Sequence, residues 1–164
     1  HEREIDPQRT KFIGPSEHAT LVKRCRPEVG DVLLSKNGTV GIAKVVDWSW
    51  EFSIFVSLAL IKLRPDSDMN SKFLEMVINS PVVARQIQER SKQGTVTNLH
   101  LEEIREFLIP MPPSHEQQLI GERVRGLRAR IDCEKATCNK LQAMKSGLMD
   151  DLLTGRVRAV PQPA

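Results

Sequence analysis

The stretch PMPPSHEQQLIGERV, Pro110–Val124, decides how this chain is organised. Pro110, Pro112 and Pro113 crowd its start, and the composition after them is that of a long helix. Pro112 and Pro113 have no N–H to give to a ladder or a helix, and they hold the backbone before them extended. Ser114, with Gln117 three residues on, matches the capping-box pattern that satisfies free N–H groups at a helix start. The pattern predicts a helix over 114–155, closed by Gly155. Taken from Ile120 in alternating steps of four and three, this helix presents Ile120, Val124, Leu127, Ile131, Glu134, Cys138, Leu141, Lys145, Leu148 and Leu152. All but Glu134 and Lys145 are apolar or cysteine, so the face reads as a coiled-coil seam. Glu134 and Lys145 read as polar positions that set register. At ~1.5 Å per residue the rod extends roughly 60 Å, more than a domain of ~110 residues can cover. The seam is therefore expected to meet another helix; the competing expectation is a break at Gly126 or Gly147 and a fold back.

Before the prolines the pattern is mixed. Residues 1–28 are polar and poorly periodic, and are read as short extended pieces. GDVLLSKNGTVGIAKVV, Gly30–Val46, reads as a hairpin: Val32–Leu34, a turn at Lys36-Asn37-Gly38, and a second β-rich run over Val40–Val46. DWSWEFS follows as a loop or strand edge. IFVSLALIKLRP, Ile54–Pro65, is apolar on both faces, as a buried strand would be. NSKFLEMVINS places Phe73, Leu74, Val77 and Ile78 at helical spacing, and Ser80-Pro81 is an N-cap with a first-turn proline opening a further helix. KQGTVTN, Lys92–Asn98, is a glycine-centred loop; LEEIREF is a short helix, and LIP a short strand. Strands first and helices later give an α+β class. The expected division is a domain over 1–110, a proline hinge at 111–113, a long helix over 114–155 and an irregular tail over 156–164.

The 164 residues suffice for one domain and an appendage. The formal net charge is +3, which permits a nucleic-acid partner without requiring one. The basic excess is greatest after the prolines, with nine Lys/Arg against six Asp/Glu over 114–164. Cys25, Cys133 and Cys138 form no disulfide or ligand pattern, which points to a reducing cytoplasm. No apolar run approaches the ~20 residues that cross a bilayer. His1, His18, His100 and His115 are scattered, no CxxC occurs, and no GxGxxG, P-loop or GxSxG is present. Neither a catalytic constellation nor a metal site is expected.

Two loops combine donors with glycine. The first is Ser35, Lys36, Asn37, Gly38 and Thr39; the second runs from Ser91 through Lys92, Gln93, Gly94 and Thr95 to Thr97 and Asn98. Lysine neutralises phosphate, Asn and Gln suit adenine edges, and Ser, Thr and glycine N–H groups suit phosphate oxygens. As isolated stretches, each is also an ordinary polar turn. Trp48 and Trp50 read as packing at a domain edge rather than as base-stacking residues. Arg123, Arg125, Arg128 and Arg130 suit either DNA phosphates or solubility of the rod.

In this order and spacing, the hairpin with Gly38 and Gly41, the Gly94-Thr95 loop, Pro110–Pro113 leading to Glu116-Gln117, and the KLQAMKSGLMDDLLTGRV ending resemble the specificity subunit of type I restriction–modification systems, over about residues 20–158. The resemblance implies a non-catalytic protein that reads one half of a split site on double-stranded DNA, with Lys36, Asn37, Lys92, Gln93 and Thr95 on the reading loops. It implies that the long helix pairs antiparallel with a second helix and docks the modification (methyltransferase) subunit, with the restriction subunit joining indirectly. S-adenosylmethionine would then belong to the modification subunit, and ATP and Mg to the restriction subunit. A full specificity subunit has two recognition domains and two helices, whereas one of each is present here. The chain is thus expected to be the C-terminal half of a longer protein or a half-sized subunit that forms a homodimer through its helix. The alternative is a protein–protein adaptor with a coiled-coil helix and no DNA role.

Overall fold

The computed structural model of the chain describes residues 10–90 and 98–159. The chain divides into two compact units, 1–118 and 119–164. The first contains α1 (Pro15–Arg24), β1 (Val32–Ser35), β2 (Ala43–Val45), β3 (Leu58–Ile61), α2 (Ser71–Ile78), α3 (Pro81–Arg90) and α4 (Leu101–Arg105). The remaining element, α5 (Ser114–Leu153), begins in the first unit and supplies nearly all of the second. A small antiparallel sheet with helices around it is the expected α+β class.

The sheet order is β2-β1-β3, with Val32 opposite Val45 and Ile61, and Leu34 opposite Ala43 and Ala59. The central strand is the most buried. Val32, Leu33 and Leu34 are all buried, on both faces of the sheet. The stretch 54–65 reaches the sheet only as the edge strand β3, where Ala59 alone is buried, while Phe55 and Val56 stand exposed before it. The apolar run there was expected to be a strand buried on both faces, and the central position has gone to β1 instead. Helix α2 packs against β2, β1 and α3. It buries the predicted quartet Phe73, Leu74, Val77 and Ile78. Asn70 opens α2 by accepting from the N–H groups of Lys72 and Phe73. Ser80 opens α3 by accepting from Val82 N, with Pro81 first in the helix.

Three local expectations are corrected. Residues 1–28 contain a helix, α1 (Pro15–Arg24), which carries no buried residue. Its signals were Pro15 at the start, Glu17 in the first turn and Lys23 and Arg24 in the last. Leu108–Pro110 belongs to no strand. The Gln86 side chain takes a strand's place, donating to Leu108 O at 3.0 Å and accepting from Leu108 N at 2.9 Å. Gln117 makes no capping box. Its backbone N–H donates to Pro113 O at 3.1 Å, and its side chain, 1% exposed, is used inside the domain. The amide Nε2 donates to Asp68 O and Pro112 O at 3.0 and 2.8 Å, and Oε1 accepts from Asn70 N at 2.8 Å. Every strong hydrogen-bonding site but one on that amide is occupied, which fastens the first turn of α5 to the start of α2.

Helix α5 runs unbroken through Gly121, Gly126 and Gly147. Gly155 follows its end with φ +72°, and Arg156 pairs there with Asp150 and Asp151 at 2.8 and 3.3 Å.

Candidate nucleic-acid interface

The first candidate loop hangs from the end of the central strand. Ser35 closes its neck: Ser35 N donates to Ile42 O at 2.8 Å, Ser35 Oγ accepts from Ile42 N at 2.9 Å, and Ser35 O accepts from Gly41 N at 2.9 Å. The loop over 36–42 is therefore wide rather than the tight Asn-Gly turn its sequence suggests. Such a turn would need positive φ at Asn37 as well as Gly38, and the described positive-φ residues are all glycine, Gly38 and Gly41 among them. Gly41 is held close to α3. A Cβ built on it would stand 2.6 Å from Ile87 Cδ1, so a side chain there would make the end of Ile87 shift, and the φ of +87° would strain any other residue.

Past the neck, the chain is gripped from both sides. Lys36 N and Asn37 N donate to Ser57 O at 2.8 and 3.3 Å, and Lys36 O accepts from Leu99 N at 2.7 Å. Asn37 forms an antiparallel bridge with Asn98. Leu99 beside it is fully buried and anchors that strand of chain. Asn98, the last residue of the second stretch, thus lies across from Asn37 in the first loop. Asn37, Gly38, Thr39 and Asn98 are exposed, and Ser35 and Lys36 are half-buried. Lys92, Gln93, Gly94, Thr95 and Thr97 lie outside the described residues. An exposed pair of asparagine side chains with a lysine at their base offers both amide groups for base edges and a cation for phosphate.

The same geometry shows what the sequence reading missed. Asn79, at the end of α2, donates to Ala43 O at 2.9 Å and accepts from Ala43 N at 2.8 Å. It therefore covers the free edge of β2 just beyond the loop. Trp48 and Trp50 stack with ring centres 5.3 Å apart, and Phe52 lies 5.3 Å from Trp48 and 5.4 Å from Trp50. The rings pack on one another, as expected. Among the described residues no group of His, Cys, Asp and Glu is placed to hold a metal ion, and no helix is long and apolar enough to cross a membrane.

Residues 10–143 match the model of the type I restriction modification DNA specificity domain. The chain belongs to that family. It is also 24% identical, over 137 residues, to the type I restriction enzyme EcoBI specificity subunit of Escherichia coli. That match takes in 83% of this chain but only 28% of the relative's length. Family membership makes the chain a DNA-specificity component rather than a catalytic one. The matched region takes in both candidate loops, the proline segment and most of α5.

In this specificity domain the predicted seam is bare. Val124, Leu127, Ile131, Leu141, Leu148 and Leu152 are between 39% and 64% exposed, and Cys138 is exposed too; Ile120, nearest the start of the rod, is half-buried. An apolar stripe of this length facing water is what a helix shows when its partner is another chain or another segment.

Proposed function

We propose that this chain reads one half of a split site on double-stranded DNA through the paired loops at 35–39 and 92–98, and that α5 pairs with another helix and docks a modification subunit. The supporting observation for the reading surface is the Asn37–Asn98 bridge, which sets two exposed asparagines side by side. The support for docking is the bare seam on an unbroken helix. On this reading S-adenosylmethionine is bound by the modification subunit and ATP and Mg by a restriction subunit that joins indirectly. The complex works in the cytoplasm, and the second helix comes from a further segment or from a homodimer partner.

The test is binding of the chain, with its modification subunit, to a library of duplexes over a range of salt. Lys36→Ala should weaken binding to all sequences alike and reduce the slope of log K against log salt by about 1 per contact. Asn98→Ala should instead relax preference at one base position, at a cost of about 1–3 kcal/mol on the preferred sequence. An intact complex with no sequence preference would favour the adaptor reading.

A further inference from the structure

We propose that Phe55 and Val56, on the turn that leads into β3, form an apolar part of the DNA-reading surface and contact the 5-methyl groups of thymine in the major groove. The inference rests on the reading of the surface around Asn37 and Asn98 as the one that meets DNA, and it adds two residues and a base feature to that surface.

The position of the turn carries it. Leu58 N donates to Phe55 O at 2.9 Å, which makes 55–58 a tight turn at the mouth of β3. Within that turn, Ser57 O accepts from Lys36 N and Asn37 N at 2.8 and 3.3 Å. The same two residues are tied to the stretch at 98–99: Lys36 O accepts from Leu99 N at 2.7 Å, and Asn37 bridges Asn98. Three pieces of chain far apart in sequence therefore meet at Lys36 and Asn37. Each brings its own chemistry. Lys36 carries a cation, Asn37 and Asn98 carry exposed amides, and the turn at 55–58 carries hydrocarbon.

That hydrocarbon faces water. Phe55 is 75% exposed and Val56 62%, on a turn of the kind that Gly, Pro, Asn, Asp and Ser usually make. The rings just before them, Trp48, Trp50 and Phe52, pack on one another instead. On a duplex, the hydrocarbon within reach of a protein in the major groove is the thymine 5-methyl group. The same groove shows the adenine N6 and N7 atoms that suit an asparagine amide. Because thymine pairs with adenine, one A·T pair offers both features to a surface that carries both partners. An apolar pair of side chains can also act as a wedge between base steps in the minor groove. The asparagines favour the major groove, because the minor groove shows A·T and T·A alike. Removing a methyl group and an apolar side chain from water is favourable without any change in charge, so this contribution adds to the phosphate contacts and does not share their dependence on salt.

The experiment starts from the duplex that the full chain, with its modification subunit, prefers in the library. Each thymine is replaced in turn by deoxyuridine, which removes the methyl group and keeps every hydrogen-bonding atom of the base. Wild type should lose affinity by about fourfold for each contacted methyl, with the salt slope unchanged. The double variant Phe55→Ala/Val56→Ala should bind the thymine and deoxyuridine duplexes alike at those positions, whereas Lys36→Ala should keep the wild-type difference. Both altered positions are exposed, and the deoxyuridine series on wild type needs no variant at all. A preferred duplex without thymine, or one in which every replacement is silent while sequence preference persists, overturns the proposal and leaves the DNA reading standing. A thymine effect that survives in the double variant does the same. A double variant whose defect lies in assembly with the modification subunit would make the turn a protein contact and likewise overturn the proposal. Absence of any duplex preference in wild type would instead defeat the DNA reading itself.

Discussion

Gln117 shows how much one side chain can do at a junction. Its amide makes three hydrogen bonds to backbone groups of Asp68, Asn70 and Pro112 while only 1% of the residue is exposed. All three partners are main-chain atoms, so the clamp needs an amide at this reach and not a charge. Gln117→Met keeps the length and removes every bond, leaving those backbone groups without their partner. It should destabilise the domain by roughly 2–4 kcal/mol in urea unfolding, and Gln117→Glu should not rescue it, because a carboxylate cannot donate to Asp68 O and Pro112 O. Only half of this was legible in the sequence. Gln117 three residues after Ser114 announced a helix start correctly, yet the same spacing suggested a local cap. A capping box and a long-range clamp look identical until the segment at 68–70 is seen beside it.

Among the elements, the sheet is held at its open end by a charged tie. Lys62, just past β3, donates to Glu28 Oε2 at 2.7 Å and lies 3.0 Å from Asp31 Oδ2. Asp31 Oδ2 also accepts from Glu28 N at 2.7 Å, closing the turn that leads into β1. The Lys62 hydrogen bond holds the Glu28 carboxyl below its ordinary value of 4.5, and the Glu28 hydrogen bond holds the Lys62 ammonium above its ordinary 10.5. The signs set a window. The Glu28 contribution is complete above 4.5 and lost as pH falls through the lowered value; the Lys62 contribution is complete below 10.5 and lost as pH rises through the raised one. The difference in Tm between wild type and Lys62→Met should therefore be flat through neutral pH and shrink at both ends. It should be small, because both side chains are substantially exposed. At this scale the sequence was a good guide wherever burial followed period. The quartet in α2 and the apolar β1 were both readable. It was a poor guide to α1, which buries nothing, and to β3, whose apolar run outlasts the strand.

For the whole molecule, the outcome turns on what the seam meets. If two copies pair through α5, the assembly carries two identical reading surfaces related by a two-fold axis. Such an assembly should bind a duplex bearing inverted copies of its half-site more tightly than one bearing a single copy, and titration of the two duplexes under matched salt would check this. The excess should follow the helix pairing: Leu141→Asp, on the exposed seam, should bring the two duplexes closer together in affinity, because one bound head would no longer raise the local concentration of the other. The sequence by itself determined the rod, its proline start, its stripe and the α+β character of the domain before it. Those depend on local geometry, the fixed φ of proline and the period of the helix, which neighbours in sequence specify. The tertiary structure alone decided that Asn37 and Asn98 lie across from each other, that the Asn-Gly stretch opens a wide loop, and that Gln117 reaches across to the start of α2. Each joins residues far apart along the chain, and no local propensity encodes which distant backbone group will be within reach of a side chain.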